Sequence, residues 1–214
     1  MARLTREQSK ARTRAALIKA ARVLFLCRGY QATSLEQVAE EADYSKGAVY
    51  SNFRGKEELC LAVLDDINHR EVGELVELLN APTDFETALR ALDGWAERVL
   101  GSESWTVLGV EAVAAAHTSP GLREQLAHRD EELVGQLAAA LRRAVEAGRI
   151  TLTGTPEDVA VILIGTGIGL GLQRAVNPAV RSGLLGQAAR ALIHPAGPAG
   201  GATPSDVRTA TTAH

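Results

Sequence analysis

The sequence predicts an all-α protein of about nine helices, and three observations carry that prediction. Apolar residues recur at helical spacing through most of the chain, while strand-like alternation is weak. Proline is nearly absent from the middle, so nothing there interrupts long helices. Thr5 and Thr33 are followed three positions later by Gln8 and Glu36, the spacing of a capping box.

Taken in order, residues 5–28 read as the first helix. Leu17, Ile18, Ala21, Leu24 and Phe25 form its apolar stripe, and Arg6, Lys10 and Arg14 stand four apart on another face. Gly29 fits a C-cap. Thr33-Ser34-Leu35-Glu36 opens a short helix, 35–42, with Leu35, Val38 and Ala39 facing inward. Asp43-Tyr44 break the pattern, and Ser45 caps a third helix, 46–53. Gly55 precedes a long helix from Lys56 to about Leu79, ended by Asn80-Ala81-Pro82. Helices then read as 84–100, 104–117, 120–147, 156–176 and 179–193. Pro120 and Pro156 fall in first turns, where the missing N–H costs nothing. Residues 195–214 hold Pro, Gly, Ala and Thr with almost no large apolar group and read as a disordered tail. The expected division is 1–60, 61–194 and 195–214.

The 214 residues are 46% hydrophobic and 23% charged, an ordinary globular balance that excludes wholesale disorder. The net charge of −3 conceals a polarised molecule. Residues 1–60 hold 11 Lys+Arg against 7 Asp+Glu, or +4, and the remainder holds 12 against 19, or −7. Residues 1–30 alone carry +7, and no lysine lies beyond Lys56. A basic end on an acidic body suits docking to a polyanion. Cys27 and Cys60 form neither a disulfide framework nor a metal-binding spacing, and read as small, partly buried thiols. The Arg-rich start lacks the apolar core of a signal peptide. The most apolar run, Val159–Leu172, is 14 residues long and includes four glycines. It suits a buried helix better than a membrane span of about 20 residues. A cytoplasmic protein without a membrane partner is therefore expected.

Two short helices joined by a tight turn over 33–53 have the dimensions of a helix-turn-helix. The second helix of such a unit lies in the major groove with its N-terminal residues at the base edges. Here those residues are Ser45, Lys46 and Gly47. Lys46 has the chemistry to donate to guanine O6/N7, and Gly47 leaves room for close approach. Tyr50, one turn on, offers a hydroxyl to a phosphate. Thr33 is expected to cap the preceding helix and place a hydroxyl and free N–H groups for another phosphate. Lys56 opens the next helix on the same side. Phe53 reads as core, whereas Tyr44 and Tyr50 sit among the polar Ser45, Ser51 and Asn52.

The run Gly29-Tyr30-Gln31-Ala32-Thr33-Ser34-Leu35, Val38-Ala39, Ser45 through Phe53, and Lys56-Glu57-Glu58-Leu59 resembles the TetR-family DNA-binding domain. The match covers about residues 12–60 without a break in spacing. The resemblance implies an N-terminal three-helix DNA-binding domain and a C-terminal helical ligand-binding and dimerisation domain. It implies a homodimeric regulator, usually a repressor that a small molecule releases from a palindromic DNA operator. The implied DNA-facing set is Thr33, Ser34, Tyr44, Ser45, Lys46, Gly47, Tyr50, Asn52 and Lys56. Two positions depart from the family pattern. Asp43 stands where Gly is usual and tolerates the left-handed conformation such a turn needs. Tyr44 replaces a small aliphatic residue.

The resemblance places an effector pocket among the middle helices and a dimer interface on the last two. Gly165 and Gly169, and Gly167 and Gly171, are spaced four apart, which lets another helix approach closely. Each glycine costs about 0.5–1 kcal/mol against Ala within a helix, so four of them call for a packing reason. The expected interface is Gly165, Ile168, Gly169, Leu172, Leu184, Leu185, Ala188 and Leu192, in a four-helix bundle between two copies. Beyond the N-terminal unit the aromatics are Phe85, Trp95 and Trp105. Trp95, Trp105, Glu111 and His117 are the candidate ligand contacts, with a helix-contact or solvated face as the competing placement for Glu111 and His117. So few aromatics argue against an aromatic cage for a quaternary ammonium. The five histidines show no metal spacing, and no catalytic triad, carboxylate dyad or phosphate loop is present. Neither a cofactor nor enzymatic activity is expected. The alternative is a DNA-binding regulator without a small effector, or an activator. An apolar cavity in the body favours the effector reading and a filled core disfavours it.

Overall fold

The computed structural model describes residues 5–81, 83–100 and 105–196. Among them are nine helices: α1 (Arg6–Arg28), α2 (Leu35–Glu41), α3 (Lys46–Asn52), α4 (Lys56–Asn80), α5 (Phe85–Val99), α6 (Trp105–Ala116), α7 (Pro120–Glu146), α8 (Pro156–Val176) and α9 (Leu184–Leu192). Two short strands, β1 (Ile150–Leu152) and β2 (Ile193–Pro195), complete the elements.

The N-terminal unit follows from its caps and its apolar stripes. Thr5 and Gln8 form the expected capping box of α1, and Gly29 ends that helix at φ 89°. The start of α2 differs from expectation. Its N-cap is Ser34, which accepts from Gln37 N–H, while the Gln37 side chain accepts from Ser34 N–H. Asp43 takes φ 58°. Around it Tyr44 N–H donates to Ala39 O at 2.9 Å and Asp43 N–H to Glu40 O at 3.0 Å, the paired bonds of a left-handed helix stop. The turn thus survives with Asp in place of Gly. Leu17, Phe25, Val38, Val49, Phe53, Leu59 and Ile67 then close one core across α1–α4, joined by Leu108 and Ala112 of α6. Buried Phe53 agrees with the sequence reading. Cys60 is buried, but Cys27 is exposed, contrary to the expectation of two partly buried thiols.

The body is built from α4 to α9. The helix α4 runs through residue 60 and so belongs to both halves. Three further clusters form there, one around Leu141, Val159 and Ala189, one around Trp95, Leu100 and Leu185, and a small one of Leu61, Ala116 and Leu122.

Three expectations are corrected. The strands were not visible in the sequence, because three residues are too few to show a period of two. They pair antiparallel, Ile150 opposite Pro195 and Leu152 opposite Ile193. Pro195, assigned by composition to the tail, therefore ends β2, and residues 197–214 lie outside the described residues. The last helix begins at Leu184 instead of 179. Residues 179–183 form turns because Arg174 Nη1 donates to Val180 O at 2.6 Å and the Ser182 hydroxyl donates to Glu97 on α5. Finally, α8 is not simply a core helix. It is the one described helix long and apolar enough to cross a membrane, and it packs on α7 and α9 while Val161, Ile162, Ile168 and Val176 stay exposed.

Candidate nucleic-acid interface and body cavity

The helix α3 is short, capped by Ser45 at Ala48 N–H (3.2 Å), and anchored by fully buried Val49. That anchor turns the opposite face outward. Ser45, Lys46, Gly47, Tyr50 and Ser51 are all exposed, Tyr50 by 57%. Lys46 Nζ reaches Glu36 Oε1 of α2 at 2.9 Å. The bond from Lys46 holds the Glu36 carboxyl below the usual carboxylate range. Lys46 is thus presented at the tip of α3 yet steadied by α2. A Cβ on Gly47 would meet only Ser45 Oγ, at 3.7 Å, so the backbone there is open to an incoming surface.

Other expected contacts are placed differently. Thr33 is 2% exposed, and its hydroxyl donates to Gly29 O at 2.9 Å. It ties the α1–α2 turn and has no free hydroxyl for a phosphate, which corrects that expectation. The α2 N-terminus is instead dressed by half-buried Ser34. Asn52 is half-buried and donates to Ala48 O at 2.8 Å. Tyr44 is half-buried and packs partly on the N-terminal core. Lys56 Nζ donates to Gln31 O at 3.1 Å and lies 4.5 Å from the Tyr30 ring centroid. Burial lowers its pKa below the ordinary 10.5.

A polar groove of about 590 Å³ runs beside α3. Arg6, Ser9, Lys10 and Thr13 of α1 form one bank, and Tyr44, Ala48, Ser51 and Asn52 the other. Arg14, four residues beyond Lys10, turns inward. Its Nη1 donates to Asn52 O at 2.8 Å and its guanidinium sits 4.2 Å from the Phe53 ring centroid. The basic face noticed in the sequence therefore splits into two outward cations and one clamp holding α1 to the end of α3.

The body contains a cavity of about 940 Å³ bordered by α4 to α9. Two of the candidate ligand contacts, Trp95 and His117, line it. Glu111 does not. Its Oε2 accepts from Tyr30 N–H at 2.5 Å, so it faces the α1–α2 turn of the N-terminal unit. Trp105 opens α6, and its side chain lies outside the described residues. Thr106, Gly109, Val110, Val113 and Ala116 of α6, and a row of leucines on α4, complete much of the wall. Their helical spacing was legible, but an apolar stripe reads the same whether it meets a core or a void.

The four glycines of α8 serve two faces. A Cβ on Gly171 would stand 2.6 Å from Thr106 Oγ1, so this glycine admits α6. Gly167 is buried and lines the cavity. Gly165 is exposed and Gly169 half-buried, and a Cβ on either would meet nothing within 4 Å. Ile168 is exposed and also borders the cavity, and Leu172 is half-buried. On α9, Leu184, Ala188 and Leu192 are half-buried, but Leu185 packs inside the protomer with Trp95. Leu185 is therefore a core residue and not one of the outward set.

A helix-turn-helix with an exposed second helix, carried on a helical body, defines a class of transcription regulators. Residues 17–63 match the family description "Bacterial regulatory proteins, tetR family", and residues 76–210 match "BetI-type transcriptional repressor, C-terminal". The chain belongs to the TetR family of transcriptional regulators. Similar proteins agree. TcmR of Streptomyces glaucescens, an HTH-type transcriptional regulator, is 30% identical over 140 residues, which cover 62% of this chain and 60% of that protein. TtgR of Pseudomonas putida is 41% identical over 68 residues, 32% of either chain. The chain thus spans less than two thirds of the length of these relatives. The solved structure of a candidate TetR-family transcriptional regulator from Mesorhizobium loti superimposes with a TM-score of 0.66 at 26% identity, covering 88% of this chain and 95% of that one.

Proposed function

We propose that the protein is a cytoplasmic, homodimeric repressor that binds a palindromic operator and leaves it when a small molecule enters the body cavity. The observation that carries this reading is the pairing of an outward α3, bearing Ser45, Lys46, Gly47 and Tyr50, with a cavity of about 940 Å³ among the helices of the body. In this reading Lys46 exchanges Glu36 for a base edge or phosphate, and Tyr50 and the groove cations Arg6 and Lys10 bind backbone phosphates. Tyr44, Asn52, Ser34 and Lys56 border the same surface. The cavity supports an effector-responsive regulator over one whose body only dimerises.

The dimer is assigned to the outward side of α8 with α9, through Gly165, Ile168, Gly169, Leu172, Leu184, Ala188 and Leu192. The exposed apolar stripe there supports the assignment, because such a stripe needs a cover. Two α3 helices related by the dimer axis would then meet half-sites about 34–36 Å apart.

Selection of bound DNA from a random pool tests the whole reading. The expected result is a palindromic consensus, with affinity lost by about 100-fold or more in a Lys46→Ala, Tyr50→Ala double variant, on the scale of losing one base contact and one phosphate contact. A non-palindromic consensus, or unchanged affinity in that variant, overturns it.

A further inference from the structure

A carboxylate stands at the tip of α3, on a surface that is otherwise suited to a polyanion. The groove beside α3 is lined by Arg6, Lys10 and uncharged residues and holds no carboxylate. Glu36 of α2 brings one to the first residue of α3, where its Oε1 stands 2.9 Å from Lys46 Nζ. Both side chains are open to solvent, Lys46 by 62% and Glu36 by 45%. Val38 and Ala39 are the buried residues of α2 and Val49 that of α3, so the pair sits on the outward side of both helices.

An exposed ion pair adds little to stability, and a carboxylate on a face that meets a polyanion is repelled by it. If Lys46 turned to a phosphate, Glu36 would be left beside that phosphate without its partner. The bond from Lys46 holds the Glu36 carboxyl below the usual carboxylate range, and an ionised carboxylate only accepts. An ammonium only donates. The surface that satisfies both side chains at once therefore presents acceptors and a donor side by side.

A G·C pair offers that arrangement in the major groove. Guanine N7 and O6 accept, and cytosine N4, which bonds to O6 across the pair, donates. O6 and N4 thus stand at hydrogen-bond separation, as Lys46 Nζ and Glu36 Oε1 do. The ammonium has enough donors to serve N7 and O6 while the carboxylate beside it accepts from N4. An A·T pair runs acceptor, donor, acceptor. Its donor divides its acceptors, so with Glu36 on the donor Lys46 keeps one acceptor instead of two. Gly47 follows Lys46, and a Cβ there would meet only Ser45 Oγ, so the α3 backbone is free to approach a base edge.

We infer that Glu36 is a specificity-determining residue. In the operator complex Lys46 passes its bond from Glu36 to guanine O6 and N7, Glu36 accepts from N4 of the paired cytosine, and together they read one G·C pair in each half-site. This rests on the operator-binding reading of α3.

The test selects bound DNA from a random pool with the full chain and with its Glu36→Gln and Lys46→Met variants, then measures affinities across a salt series. The parent chain is expected to select G·C at one position of each half-site, with any other pair there weakening binding by about 10-fold or more. Both variants should relax that same position to within about 3-fold among the four pairs and keep the rest of the consensus. Glu36→Gln should also bind a scrambled duplex about 2- to 5-fold more tightly than the parent, because a charge that repels phosphates is gone. An ion pair that only braces α3 on α2 predicts no such gain. A Glu36→Gln variant as selective as the parent at every position overturns the inference and leaves the operator reading standing. So does a Lys46→Met variant that weakens all sequences alike and lowers the salt slope by about one, the mark of a phosphate contact. A parent chain that selects no consensus overturns the operator reading itself, and the inference with it.

Discussion

Thr33 and Cys60 each carry a reactive-looking group, and each is consumed inside the N-terminal unit. A hydroxyl at a helix start is a natural phosphate ligand, yet Thr33 turns its hydroxyl onto Gly29 O and leaves the cap to Ser34. The deciding factor is one residue of register. The residue at the boundary takes the extended cap conformation, and its neighbour is folded into the turn beneath. Cys60 and Tyr30 lie in the same core, and burial pushes the pKa of each to about 12, from 9.0 and 10.0. Both are raised, so their contribution to stability is complete below the unfolded values and is lost as pH climbs from about 9 towards about 12. Denaturant midpoints should fall steeply across that window, and Cys60→Ala with Tyr30→Phe should flatten the fall. A thiol reagent should titrate exposed Cys27 at once and Cys60 only on unfolding. Rapid labelling of both would mean the core opens readily.

At the scale of elements, α8 is the instructive case. Its alternating glycines looked like a single device for close approach. The structure separates them into an inner pair, Gly167 and Gly171, used within the protomer, and an outer pair, Gly165 and Gly169, facing outward. The two pairs predict opposite behaviour. Gly171→Ala drives a methyl into Thr106 and should lower the melting temperature of the protein, with a cost of about 1–3 kcal/mol typical of overpacking. A Gly165→Leu, Gly169→Leu variant has open space in the protomer and should retain its helical circular dichroism. If the proposed dimer forms through this face, the variant should nonetheless sediment as a monomer under conditions where the parent chain sediments as a dimer. A variant that still dimerises would move the interface off this face. On α9, Gly186 admits Asp93 of α5 and Leu185 joins the core, while Leu184, Ala188 and Leu192 are half-buried, with Leu184 and Leu192 packing on the edges of the body cores.

For the whole molecule, the charge division of +4 and −7 corresponds to a basic reading unit on an acidic body. The two are joined by more than the continuous α4. Helix α6 lines the cavity with Thr106, Val110 and Val113, while Glu111 on the same helix accepts from Tyr30 N–H. Arg22 of α1 and Asp66 of α4 add an ion pair at 3.6 Å. The Glu111 bond spans 81 residues of sequence and joins the cavity wall to the reading unit. A hydrogen bond to a charged group contributes about 1.5–3 kcal/mol. Glu111→Ala should therefore speed hydrogen exchange at the Tyr30 amide by about 10-fold or more, while exchange in the body core stays unchanged. An unaltered Tyr30 rate would show that this amide is protected by its surroundings and not by Glu111.

Much of the fold was legible because its signals are local. Caps at Thr5 and Ser45, the stop at Gly29, the tolerance of Asp43 for φ 58°, prolines in first turns and apolar stripes all act within one or two turns of chain. So was the exposure of Lys46, Gly47 and Tyr50, since they are placed by a short helix with one buried face. The strands of three residues carried too little pattern to see, and the start of α9 was set by Arg174 and Glu97 from distant helices. The sequence by itself determined an all-α chain with a helix-turn-helix, because helix formation and capping depend on neighbours in the chain. Only the tertiary structure decided which apolar stripes enclose a cavity, which glycines face outward, and that Glu111 turns to the N-terminal unit. Those properties depend on what stands opposite a side chain, and periodicity specifies a face without specifying what it meets.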